Sequence, residues 1–110
     1  MARIVNEREF ADLIKANTES NSLRPLVVDC FTDWCPPCKV SAPIFEQLSK
    51  KYQGADFIKI NVDYNQGVAA KLRVHGVPTF AIIIGNKVVS KIVGADMKKL
   101  EREIIKTLEE

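Results

Sequence analysis

Two hydrophobic periods, one helical and one of strand type, alternate along this chain. Asn6 with Glu9 three residues later has the form of a capping box, and Phe10, Leu13 and Ile14 follow at i, i+3, i+4, so the pattern predicts a helix over 7–17. Residues 3–5 before it suit a short strand. The polar stretch 18–25, with Ser, Asn and Pro, marks a loop. Leu26 to Phe31 is an apolar, β-branched run too short for a helix, which predicts a central strand covered on both faces. From Pro36 to Tyr52, Val40, Ile44, Phe45, Leu48 and Tyr52 return at helical spacing. Prolines stand in the first turn, where a missing N–H costs nothing, and Pro43 is placed to kink the helix. A strand over 57–62, a short helix over 66–72 around Val68, Ala69 and Leu72, and a hairpin of 79–84 with 87–93 turning at Gly85-Asn86 come next. A final helix capped by Asp96 and buried through Met97, Leu100, Ile104 and Leu108 completes the series.

The order is β-α-β-α-β-α-β-β-α, an α/β layered domain with a mixed sheet. With 110 residues the expectation is a single domain over 1–110, large enough to fold without a disulfide staple. Apolar residues at 46% and charged residues at 27% argue against a disordered or low-complexity chain. The net charge of +2, with both signs interspersed, leaves no footprint for nucleic acid or an anionic membrane. Residues 1–7 hold no apolar stretch of secretory length, so the expected location is cytoplasmic unless a leader has been removed. The longest apolar run, Phe80 to Ile84, reads as a buried strand, being far short of the roughly 20 residues a membrane span needs.

The cysteines are more informative. Cys30, Cys35 and Cys38 are too clustered and odd in number to frame a disulfide-rich secreted domain, and two of them form Cys-x-x-Cys. This pair falls where the central strand ends and the long helix begins. Unpaired backbone N–H groups and the positive end of the helix dipole favour a thiolate at Cys35. Cys38 comes round to the same side of the first turn, within reach of a disulfide. The expected chemistry is thiol–disulfide exchange, with Cys35 as the attacking nucleophile and Cys38 as the resolving thiol. The competing readings are a zinc half-site, although the chain offers only three cysteines and one histidine toward four ligands, and two inert thiols.

Asp29 lies in the apolar run Val27-Val28-Asp29-Cys30-Phe31, where burial should raise its pKa and equip it as a general base for Cys38, directly or through one water. Lys59, on a neighbouring strand, is a candidate modulator of that acid. The alternative for Asp29 is a strand carboxylate that finds backbone partners. Trp34 should flank the thiol and shape a docking surface. Val77-Pro78-Thr79 suggests a constrained turn whose Val77 backbone would be free to pair with an extended substrate were the bond cis. Cys30 is expected to be a small core residue and His75 a loop histidine.

Taken together, these residues resemble the thioredoxin family over nearly the whole chain. The match comprises Val28-Asp29, Trp34-Cys35-x-Pro37-Cys38-Lys39, Ala42-Pro43, Lys59-Ile60-Asn61-Val62-Asp63, Gly76-Val77-Pro78-Thr79 and Val93-Gly94-Ala95, in order and at the family's spacing. The resemblance implies a thioredoxin fold, a five-stranded mixed β-sheet flanked by four α-helices, with a cis bond before Pro78. It also implies a substrate groove formed by Trp34, Val77, Pro78 and Gly94, and makes Asp29 the family's buried acid with Lys59 nearby. The implied activity is protein-disulfide reduction by a monomer with no metal and no permanently bound cofactor. Its partners would be disulfide-containing clients and a thioredoxin reductase, through which NADPH and FAD act. Pro36 departs from the family's usual glycine; with Pro37 it stiffens the turn and tunes the thiols. Cys30 likewise replaces an aromatic or aliphatic residue. Three other readings stand beside the reductase: a disulfide oxidase or isomerase with a potential shifted by Pro36, a binding module on which the thiols are incidental, and an iron–sulfur cluster bridging two chains through Cys35.

Overall fold

The computed structural model describes residues 2–110. In chain order the elements are β1 (Arg3–Ile4), α1 (Glu7–Glu19), β2 (Leu26–Phe31), α2 (Pro36–Lys51), β3 (Asp56–Asn61), α3 (Gln66–Lys71), β4 (Thr79–Ile84), β5 (Lys87–Val93) and α4 (Met97–Glu109). The five strands form one sheet in the order β1-β3-β2-β4-β5. β1, β3 and β2 run parallel, while β4 is antiparallel to both β2 and β5. This is the mixed sheet that the element order predicts.

Local chemistry explains most element ends. Asn6 Oδ1 accepts the Glu9 N–H at 2.8 Å and Glu9 Oε1 accepts the Asn6 N–H at 3.0 Å, the reciprocal capping box. Asp96 Oδ1 accepts the Lys99 N–H at 3.1 Å and starts α4. α1 continues two residues past the predicted end, to Glu19, with Ser20 donating its N–H to the carbonyl of Ala16. β3 begins and ends one residue earlier than the pattern predicts. Gly85 adopts φ +62°, which the tight β4–β5 turn requires and side-chain-bearing residues resist.

The sheet separates two apolar layers. Phe10, Ile14, Val28, Cys30, Ile58, Ile60 and Ala81 pack on the side of α1 and α3. Val27, Phe45, Leu48, Phe57, Phe80, Ile82, Leu100 and Ile104 pack on the side of α2 and α4. Phe45 meets the Phe57 ring edge-on at 5.4 Å and stacks on Phe80 at 5.7 Å. On α2 the expected apolar face is corrected: Val40 and Ile44 are exposed, and the buried stripe is Cys38, Ser41, Phe45, Leu48 and Ser49. The reason is the helix's setting about its own axis: Val40 and Ile44 each precede a buried residue, Ser41 and Phe45, by one position, about 100° round the helix from the stripe that faces the sheet. Leu108, expected in the core, is likewise exposed on the last turn of α4. α2 runs through Pro43, which supplies no N–H for the carbonyl of Lys39 one turn earlier and lies on the exposed side of the helix.

Candidate active site

Strand period decides which side chains can meet. Successive residues of β2 face opposite sides, so Asp29 shares the α2 side with Val27, while Cys30 goes with Val28 into the opposite layer. β2 and β3 are in parallel register with Asp29 opposite Lys59, which places the lysine on the same side as the acid. At the end of β2 the chain turns through Thr32, Asp33 and Trp34 into α2.

Cys35 is the N-cap of α2, with extended backbone, and its Sγ accepts the Cys38 N–H at 3.2 Å. Cys35 and Cys38 are joined in a disulfide with their Cα atoms 5.2 Å apart. Pro36 and Pro37 occupy the first two helical positions and carry no N–H. The amide of Cys38 is therefore the first donor of the turn, and it is directed at the sulfur.

Beneath the helix start is a cleft of about 180 Å³ lined by Asp29, Phe31, Thr32, Asp33, Cys38, Lys39, Ala42 and Lys59. The sequence points to Asp29, Cys38 and Lys59 as one group, and the fold brings all three to this cleft. Asp29 is 1% exposed, and burial pushes its carboxyl up to about 7 against the opposing pull of the Lys59 charge. Lys59 Nζ lies 5.1 Å from the centre of the Phe31 ring. Asp29 Oδ1 and Thr32 Oγ1 are buried without a protein hydrogen-bond partner, and both residues line the cleft. Cys30 is fully buried in the opposite layer as a free thiol, pushed up to about 12 by burial and by the Asp29 charge.

The remaining predicted residues gather at the same end of the sheet. Thr79, the first residue of β4, pairs with Cys30 on one side and Val93 on the other, so the turn before it and the turn after β5 emerge beside the end of β2. The Val77–Pro78 bond is cis. Gly94, at φ +91°, donates its N–H to the Pro78 carbonyl at 2.8 Å, and Thr79 Oγ1 donates to the Gly76 carbonyl at 2.6 Å. Val77 lies outside the β4 ladder. His75 is an exposed loop residue, as expected. Trp34 is 67% exposed, with its Nε1–H donated to Asp63 Oδ2 at 2.8 Å. Asp63 and Thr32 were not singled out from the sequence. Asp63 closes the segment Lys59-Ile60-Asn61-Val62-Asp63, but its partner is 29 residues away, and only the fold joins the two.

The thioredoxin family model matches residues 2–109. The chain belongs to the thioredoxin family. Thioredoxin H4 of Arabidopsis thaliana is 45% identical over 89 residues, covering 80% of this chain and 73% of the relative. Thioredoxin-1 of Schizosaccharomyces pombe is 46% identical over 79 residues, covering 72% and 77%. The X-ray structure of Fasciola hepatica thioredoxin superposes with a TM-score of 0.86 at 36% identity, covering 97% of this chain and 99% of that one. The thioredoxin fold expected from the resemblance is thereby established, and with it the class of activity, thiol–disulfide oxidoreduction of the protein-disulfide reductase type. Thioredoxin membership implies a reductase and disulfide-bearing clients as partners. Among the described residues no helix is long and apolar enough to cross a membrane, and no three His, Cys, Asp or Glu side chains converge as metal ligands would.

Proposed function

We propose that this thioredoxin reduces client proteins through Cys35 and Cys38, with the Cys-Pro-Pro-Cys segment as its active site. The observation that carries the reading is Cys35 at the N-cap of α2, its sulfur receiving the Cys38 amide and bonded to the Cys38 sulfur one turn on. In the reduced protein the Cys35 thiolate attacks one sulfur of a client disulfide. A mixed disulfide forms and the client's other sulfur leaves as a thiolate. Cys38, once deprotonated, attacks Cys35 Sγ; the bond from Cys35 to the client breaks, and the second client sulfur leaves and is protonated. Two electrons have then passed to the client and the Cys35–Cys38 disulfide remains.

Asp29 receives the Cys38 proton, directly or through one water of the shared cleft, and a carboxyl lifted to about 7 is suited to that exchange near neutral pH. Lys59 tempers the lift, while Pro36 and Pro37 stiffen the turn between the thiols. Trp34, Val77, Pro78 and Gly94 line the groove that receives the client chain, Val77 through its backbone. A thioredoxin reductase restores the dithiol with electrons from NADPH through FAD, neither of which this chain binds. The protein acts as a single domain over 1–110, a monomer of the cytoplasm.

The test is trapping. Cys38→Ser should accumulate client adducts on Cys35 that a reducing agent releases, and the further change Cys35→Ser should remove them. A Cys38→Ser protein that captures no client would overturn the assignment. The reduction potential separates this reading from an oxidase or isomerase, since about 30 mV corresponds to about 1.4 kcal/mol for such a pair. A strongly reducing value supports the reductase.

A further inference from the structure

A chain of polar contacts links the loop after β2 to the loop after β3, and none of its members belongs to the exchange chemistry. Asn61, the last residue of β3, is 8% exposed and uses both ends of its amide. Its Nδ2 donates to Asp33 Oδ1 at 3.2 Å, and its Oδ1 accepts the Asp63 N–H at 3.0 Å. Its backbone carbonyl accepts from Asn65 Nδ2 at 2.8 Å. Asp63 in turn holds the Trp34 indole by the 2.8 Å bond to Nε1, and Asp33 immediately precedes Trp34 in the chain.

We infer that Asn61 is a positioning residue for Trp34, fixing the indole at the lip of the client groove from both sides. One arm holds the backbone that leads into Trp34, and the other orients the loop whose carboxylate grips the indole. An amide is the side chain this junction requires. A carboxylate at 61 would still accept the Asp63 N–H, but it would face Asp33 as a like charge with no proton to donate. An aliphatic side chain would lose both arms, leaving the Asp63 N–H and the Asp33 carboxylate without this partner. Without the bracket, a side chain as exposed as Trp34 samples several rotamers, and ordering it again opposes client binding. The inference rests on Trp34 lining the groove and adds the group that keeps it there.

The chain contains one tryptophan, so indole fluorescence reports this position alone. Fluorescence anisotropy decay of Trp34 is measured for the wild type, Asn61→Asp, Asp33→Ala, and the swap that combines Asp33→Asn with Asn61→Asp. The same proteins are assayed for reduction of a protein disulfide with dithiothreitol as electron source. Asn61→Asp should enlarge the fast component of the anisotropy decay and raise KM about five-fold, equivalent to about 1 kcal/mol, with a smaller change in kcat. Asp33→Ala alters an exposed position and removes one arm, so it tests the same claim should Asn61→Asp fail to fold. The swap restores one donor facing one acceptor and should bring both readouts back to within about two-fold of the wild type. Unchanged anisotropy and KM in folded Asn61→Asp, or in Asp33→Ala, would overturn the inference. So would a swap no better than Asn61→Asp. Indole mobility that rises without any change in KM would instead remove Trp34 from the groove, while an inactive wild type would count against the exchange reading itself.

Discussion

Replacing Asp29 by Asn isolates the cost of a buried charge. The carboxyl is 1% exposed, and its value of about 7 stands well above the ordinary 3.8. Between those two values the folded protein holds a proton that the unfolded chain has released, so stability falls as pH rises across the window and levels off above it. The contribution is greatest below about pH 4 and is lost by about pH 7. A gap of about three pH units at about 1.4 kcal/mol each amounts to about 4 kcal/mol, a sizeable part of the 5–15 kcal/mol typical of a domain. Asn carries no charge at any pH, although its amide adds donors to a site where Asp29 Oδ1 already lacks a partner, a pH-independent cost of about 1–3 kcal/mol. Asp29→Asn should therefore be the less stable protein near pH 4 and the more stable one near pH 8. The assay is urea unfolding of both oxidised proteins at half-unit steps from pH 4 to 8. Their stability difference cancels the other titrating groups and should change by about 1.4 kcal/mol per pH unit through the middle of the range. A difference flat to within about 0.5 kcal/mol over that range would show that Asp29 ionises in the fold as freely as in water, and would refute the reasoning.

Three other expectations follow from the same structure. Cys30, fully buried and pushed up to about 12, should resist alkylation in the reduced native protein at pH 8, so that tandem mass spectrometry finds it labelled only after denaturation; rapid native labelling of Cys30 would contradict its burial. Arg73 sits at φ +54° just past the end of α3, where glycine is the usual residue, so Arg73→Gly should raise stability by up to about 1 kcal/mol, and a lowered melting temperature would argue against that strain. A Cβ at Gly67 would lie 2.6 Å from Glu7 Oε1, which accepts the Val68 N–H at 2.9 Å. Gly67→Ala should be within about 0.5 kcal/mol of neutral in the wild type, where displacing the flexible end of Glu7 offsets the helix gain of alanine, yet stabilise a Glu7→Ala background by about 1 kcal/mol; an equal effect in both backgrounds would sink the steric account.

What the sequence determined by itself was local. The capping box of Asn6 and Glu9, the Asp96 cap, the turn at Gly85-Asn86 and the paired cysteines at a helix start depend on residues within about four positions of one another, and interactions of that range can be read from the chain. Period two also divided Asp29 from Cys30. It could not say which of them would face α2, and so which would share a cleft with Cys38, because that depends on which face of the sheet the helix covers. The exposure of Val40 and Ile44 was settled in the same way, by which stripe of α2 the tertiary packing turns toward the sheet. Tertiary structure alone joined Trp34 to Asp63 and Asp33 to Asn61 across 28 or 29 residues. The direction of the Asp29 shift is legible in the apolar run around it, whereas its size comes from the tertiary structure, since desolvation sums over the whole surrounding fold.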